Sequence, residues 1–164
     1  VESLSTFVAV GAMRETSGDT INYVNAEFIA KEKGIKIEAE SLSDSAVYKN
    51  LITIKLTTAK GTTSISGTIF DDNVQRIVNL DGFEIEFALK GDIVLFKNSD
   101  IPGVIGSIGS TLANNNVNIA DFSLARNKDA EALAVILVDN AVNDKTLKEL
   151  ASLEACLSVK YARL

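Results

Sequence analysis

The stretch NSDIPGVIGSIGSTLANNNVNI, residues 98–119, is the most informative part of this sequence. It follows an apolar run at residues 91–97 that is typical of a buried strand. Pro102 has the φ angle of a first helical residue, and Asp100 stands where a helix cap or turn residue would, so the spacing predicts a helix over 102–115. One face of this helix is apolar and is formed by Val104, Ile105, Ile108 and Leu112.

Beyond this helix the pattern alternates between strands and one further helix. Asn116 is suited to a left-handed helix end. Strands are expected over 118–126, 131–138 and 156–163, with a helix over 143–152. The resulting βαββαβ order predicts a four-stranded antiparallel sheet with both helices on one face.

Three glycines interrupt the predicted helix at positions 103, 106 and 109. Each costs a helix roughly 1 kcal/mol relative to alanine, so their presence indicates that something approaches the backbone closely. A small ligand at the helix start and a second packed helix both remain open as explanations.

The first ninety residues have a different order of elements. Helices are expected over 4–13 and 23–33, a polar loop over 41–50, and strands over 35–40, 52–57, 62–70, 77–80 and 83–87. Asp81-Gly82 is a strong signal for a two-residue hairpin. The whole chain is therefore expected to be α+β with two domains, residues 1–90 and 91–164.

Composition excludes several classes of protein. The formal net charge of −6 and the isoelectric point near 4.7 argue against a general nucleic-acid or anionic-membrane surface. There is no lysine or arginine between Lys97 and Arg126, so a phosphate-binding role of the glycine segment is not expected. The lone Cys156 excludes an internal disulfide and fits a reducing, cytoplasmic compartment. No apolar run has the length of a membrane span.

Five segments carry a resemblance to a known family. DIPGVI at 100–105 and VNI at 117–119 resemble the signature of an ACT domain, the small-molecule sensing module of amino-acid metabolism. INYVNA at 21–26, SGTIF at 66–70 and RIVNLDG at 76–82 resemble the segment that precedes the ACT domain in D-3-phosphoglycerate dehydrogenase. The resemblance implies an intervening domain, N-terminally truncated, over 1–90 and an ACT domain over 91–164.

The resemblance also implies a site for L-serine between two ACT domains. The positions that match the family's ligand-holding residues are Asp100 for the ammonium group and Asn118 from the facing subunit, and Asn98 stands where the family often has His or Tyr. The remaining implied contacts are Ile101, Pro102, Gly103 and Val104. From the residues alone, Asp100 and Asn118 could instead cap a helix and a strand, and glycine or another small amino acid could replace serine as the ligand.

A second, anion-accepting effector site is implied in the first domain. Arg76 matches a basic residue of that site, and Lys90 lies nearby in sequence. Another basic position of the family is Ala88 here. A solvated surface arginine is the alternative reading of Arg76.

The sequence lacks the residues that catalysis needs. It contains no histidine and no Gly-x-Gly-x-x-Gly, and its one cysteine has apolar neighbours, so no nucleophilic, acid–base or dinucleotide site and no metal site is expected. The resemblance implies the homo-oligomeric regulatory region of an NAD-dependent oxidoreductase of serine biosynthesis, whose NAD site would lie upstream. The alternatives are the regulatory region of a bacterial L-serine dehydratase, which adds an iron–sulfur unit, and a free-standing ACT amino-acid sensor.

Overall fold

The computed structural model describes residues 2–41, 48–70 and 73–164. The chain forms two compact units, Val1–Lys49 and Asn50–Leu164. The second unit contains two antiparallel sheets, so the predicted division at residue 90 falls between two sheets of one compact unit. The α+β class predicted from the sequence is confirmed.

The described part of the first unit consists of two helices, α1 (Glu2–Ser17) and α2 (Ala26–Glu32), with a short 3-10 turn between them. Its core is formed by Ala9, Val10, Met13, Ile21, Ala26 and Ala30. The helix predicted from residue 23 begins only at Ala26, because Asn22 and Asn25 exchange local hydrogen bonds. Asn22 Oδ1 accepts from the Val24 amide at 2.9 Å, and Asn25 Oδ1 accepts from the Asn22 amide at 2.8 Å. Such bonds offer the backbone an alternative to the helix.

The strand predicted over residues 35–40 is wrong. Gly34 ends α2 with a φ of 68°, as its position in the sequence suggests, and the residues that follow have no regular structure. A strand needs a neighbour for its backbone groups, and the described part of this unit contains only helices and turns. The polar loop predicted over residues 41–50 includes residues 42–47, which lie outside the described residues.

The second unit begins with a four-stranded meander. Its strands are β1 (Ile52–Thr58), β2 (Gly61–Ile69), β3 (Gln75–Leu80) and β4 (Phe83–Ala88), in that spatial order. Asp81 and Gly82 connect the last two strands with φ angles of 50° and 85°. Two consecutive positive φ angles are those of the two-residue hairpin that this dipeptide predicts.

The remainder of this unit has the predicted βαββαβ order. Its elements are β5 (Asp92–Ser99), α3 (Val104–Asn114), β6 (Ile119–Arg126), β7 (Glu131–Val138), α4 (Asp144–Ala151) and β8 (Cys156–Arg163). The antiparallel sheet has the order β6-β7-β5-β8, so β6 lies at an edge. Asn143 caps α4 by accepting from the Thr146 amide at 2.9 Å.

The second sheet is covered on both faces. On one face, Val94 and Phe96 pack with Ile108 and Leu112 of α3 and Leu150 of α4. The opposite face packs against the meander; this core includes Phe83, Ile85, Phe87, Ile93, Leu133, Val135 and Leu137. Burial on both faces explains why β7 is a continuous apolar run rather than an alternating one.

Candidate functional site

A cleft of about 350 Å³ opens where the loop between β5 and α3 approaches the end of β6. It is lined by Asn98, Asp100, Ile101, Pro102, Gly103, Val104, Ile105, Gly106, Ile108, Leu124, Arg126 and Ala132. The structure therefore brings together the site residues expected at 98 and 100–104. It adds Arg126 and several apolar side chains that the sequence did not indicate.

Gly103 determines where α3 begins. Its φ of 91° lies in the left-handed region, so the helix starts at Val104 and not at Pro102 as predicted. Asp100 is also not a helix cap, because the residue before the helix is Gly103 and no side chain bonds the first turn. The local structural reading of Asp100 is therefore wrong, and its carboxylate lies on the wall of the cleft instead.

The N-terminus of α3 faces the cleft with a bare backbone. Val104, Ile105 and Gly106 line the cleft, and amides of a first helical turn have no partner inside the helix. These amides carry the positive end of the helix dipole, which favours an anion. A Cβ atom built on Gly103, Gly106 or Gly109 would meet no atom of the described residues within 4 Å. The glycines therefore leave open surface, and no other element among the described residues packs against them.

Asn98 is a buried polar residue at the cleft. Its side chain is 3% exposed, and its Nδ2 donates to the Ser99 carbonyl at 2.7 Å. Its Oδ1 has no hydrogen-bond partner among the described residues. A buried acceptor without a partner costs about 1–3 kcal/mol, so a donor that enters the cleft would be stabilised there.

Asp100 forms an ion pair with Arg126, a residue that the sequence reasoning missed. The Arg126 Nε lies 3.1 Å from the Asp100 Oδ2. The sheet register explains why Arg126 lies close to Asp100. Arg126 pairs with Ala132, and Ala132 pairs with Asn98, across three adjacent strands.

Asn118 does not line the cleft. It lies just before β6, whereas Arg126 ends that strand, a separation of about 26 Å at the rise of a β-strand. Its Nδ2 donates to the Asp139 Oδ2 at 2.6 Å. Because a carboxylate only accepts, this bond directs the Asn118 carbonyl oxygen away from Asp139.

The two basic residues expected at an anion site lie on the meander and just after it. The Arg76 Nη1 donates to Glu86 at 2.8 Å, and its guanidinium lies over the Phe70 ring at 5.4 Å from the centroid. Arg76 is opposite Ala88 in the sheet, and the exposed Lys90 follows two residues later. An anion at Arg76 would therefore have to compete with the Glu86 carboxylate.

Two further titratable groups outside the cleft, Glu131 and Cys156, have shifted pKa values with structural causes. Hydrogen bonds from Lys97 and Asn127 hold the pKa of Glu131 below its usual value and tie down the turn after β6. Burial raises the pKa of the Cys156 thiol, which disfavours the reactive thiolate.

Among the residues that the structure describes, no three Cys, Asp or Glu side chains are grouped as metal ligands, and no helix is long and apolar enough to cross a membrane. The adjacent acidic residues Asp71 and Asp72, which could also be considered as metal ligands, lie outside the described residues.

Comparison with known proteins identifies both parts of the chain. The family model of the D-3-phosphoglycerate dehydrogenase intervening domain matches residues 1–81, and that of the ACT domain matches residues 93–155. The chain belongs to the regulatory region of the D-3-phosphoglycerate dehydrogenase family. The cleft lies entirely within the second unit. Most of its lining residues belong to the loop after β5 and to α3, and the others lie near the end of β5, the end of β6 and the start of β7.

Curated relatives of this regulatory region support the assignment. The chain is 34% identical to the D-3-phosphoglycerate dehydrogenase of Bacillus subtilis and 29% identical to that of Archaeoglobus fulgidus, covering 94% of this chain in both cases. It is 32% identical to the enzyme of Methanocaldococcus jannaschii over 79% of this chain. The chain spans about 30% of the length of the first two relatives, corresponding to their C-terminal regulatory part.

Proposed function

We propose that this region binds L-serine in the cleft before α3 and thereby regulates a D-3-phosphoglycerate dehydrogenase by feedback. The observation that carries the proposal is the buried Asn98, whose Oδ1 has no partner among the described residues and which lies at a cleft that also exposes Asp100. The family assignment supports the same function, since ACT domains generally bind amino acids.

Each polar group of serine has a suitable partner in the cleft. The ammonium group is expected at the Asp100 carboxylate, where a charge-assisted hydrogen bond forms. The carboxylate is expected at the unpaired amides of the first α3 turn, which the glycines leave accessible. The hydroxyl group is a donor and suits the Asn98 Oδ1. Pro102, Ile101 and Val104 supply the apolar wall.

The proposal places Asn118 in the site of a second copy. In the antiparallel pairing of two β6 strands about a two-fold axis, the start of one strand lies opposite the end of the other. Asn118 of one copy would then approach the cleft of its neighbour, where Arg126 and Asp100 lie. The exposed apolar side chains Ile101, Ile105 and Leu124 at the cleft would be covered in the same dimer.

The first test of oligomerisation is sedimentation. β6 has an open edge among the described strands and contains neither lysine nor proline, the residues that usually protect such edges. We expect a two-fold dimer at tens of micromolar chain. A wild-type chain that sediments only as monomer at that concentration would contradict the pairing.

The same proposal extends to the activity of the whole enzyme of which this region would be part. A parent dehydrogenase would oxidise 3-phosphoglycerate with NAD in a cytoplasmic pathway, and Arg76 with Lys90 would form its second effector site for an anion. No NAD site is assigned to the described residues, because Gly103, Gly106 and Gly109 have the wrong spacing for the dinucleotide fingerprint.

Calorimetric titration tests the ligand directly. L-serine should bind the chain saturably, while L-alanine, which lacks the hydroxyl that Asn98 would receive, should bind at least several-fold more weakly. D-serine serves as the control for orientation in the cleft. Absence of heat with L-serine, glycine and L-alanine up to 10 mM, roughly ten-thousandfold above a dissociation constant of about 1 μM, would refute the proposed function.

A further inference from the structure

The cleft has two charged side chains among its described lining residues, and they have opposite signs. Asp100 and Arg126 form an ion pair at 3.1 Å, and every other lining residue is uncharged. The walls of the cleft therefore have no net charge. A ligand that is itself an internal ion pair matches such walls better than a simple cation or a simple anion does.

This ion pair is easily opened. The side chain of Arg126 is 66% exposed and that of Asp100 is 29% exposed. An exposed pair of this kind contributes little to stability, because water and salt screen it and two side chains must be ordered to form it. Sheet register holds the backbone of Arg126, so the guanidinium can swing without disturbing β6.

We propose that Arg126 is a carboxylate-binding residue of the cleft and that the amino acid inserts between Asp100 and Arg126. The inference rests on the proposed function and adds a binding residue to it. On insertion, one ion pair is exchanged for two: the ligand ammonium bonds to Asp100, and the ligand carboxylate bonds to the guanidinium together with the α3 amides. Arginine suits this role because its fork of donors matches a carboxylate in a bidentate geometry.

Insertion makes the cleft selective for zwitterions. A ligand with an amine and no carboxylate must displace Arg126 from Asp100 and gives the guanidinium nothing in exchange. A carboxylate without an amine leaves Asp100 unpaired beside an added negative charge. Both should therefore bind more weakly than an amino acid of the same size.

The experiment compares L-serine with ethanolamine, which is serine without its carboxylate, by titration calorimetry. In the wild type, L-serine should bind more tightly than ethanolamine. Arg126→Gln should weaken L-serine binding by roughly ten- to hundredfold, while ethanolamine binds as well as before or better because Asp100 has lost its competitor. Arg126→Lys should restore part of the affinity for L-serine, since it keeps the charge and loses the bidentate geometry. Lys128→Gln removes the same charge two residues away and should change neither affinity.

The outcomes separate this inference from the proposed function. If Arg126→Gln leaves L-serine affinity unchanged, or weakens both ligands by the same factor, Arg126 does not bind the carboxylate and the inference is overturned alone. If the wild type binds no amino acid, the proposed function fails and the inference fails with it.

Discussion

Replacing Asp100 with alanine is expected to weaken L-serine binding by roughly ten- to hundredfold while the domain stays folded. The substitution removes the one carboxylate that lines the cleft in the described part of the chain, and with it the partner of the ligand ammonium. A lost charge-assisted hydrogen bond weakens binding by roughly 1.5–3 kcal/mol, a ten- to hundredfold loss of affinity. The fold should survive, because Asp100 caps no helix and its side chain forms an exposed ion pair with Arg126.

Two further variants complete this test. Asn118→Ala should come close to the same loss if Asn118 reaches the ligand from a second copy. Asp129→Ala is the matched control, because it removes an acidic side chain from the neighbouring turn, outside the cleft. Unchanged calorimetric affinity in Asp100→Ala, with an intact circular dichroism spectrum, would remove Asp100 from the ligand site.

The largest effect on stability is expected for Leu150→Ala. Leu150 lies on α4, is fully buried and packs in the core between the helices and the sheet. Truncating such a leucine removes its burial and leaves a cavity, which together lower the free energy of unfolding by about 2–5 kcal/mol. Denaturation in urea, followed by circular dichroism, measures this change.

Leu157→Ala provides the matched control for the same substitution. Leu157 lies on β8 of the same sheet and is 50% exposed, so its truncation should lower the free energy of unfolding by less than about 1 kcal/mol. In both variants the folded fraction should bind L-serine normally, because neither residue lines the cleft. A Leu150→Ala protein as stable as Leu157→Ala would contradict the assigned core.

The predicted elements agree best with the structure where the signal is local and strong. The apolar run of β7 matches its predicted bounds, and the Asp81-Gly82 hairpin forms with the φ angles that the dipeptide favours. The strand expected over 35–40 failed because alternation alone cannot supply a neighbouring strand to bond with. The start of α3 was placed two residues early, because proline favours a first helical position whereas the left-handed Gly103 permits the helix only after itself.

The βαββαβ order and the Asp81-Gly82 hairpin could be predicted from the sequence, because strand periods and turn residues are encoded over short distances. The roles expected of Asn98 and Asp100 came from the resemblance of their motif to the ACT family and stay predictions. The structure was needed to show that Arg126 pairs with Asp100, that Asn98 is buried with an acceptor unsatisfied, and that Asn118 lies at the opposite end of β6. These facts depend on strand pairing between segments that are far apart in the chain. Register brings residue 126 beside residue 98 and carries residue 118 away from it, and no local pattern contains that information.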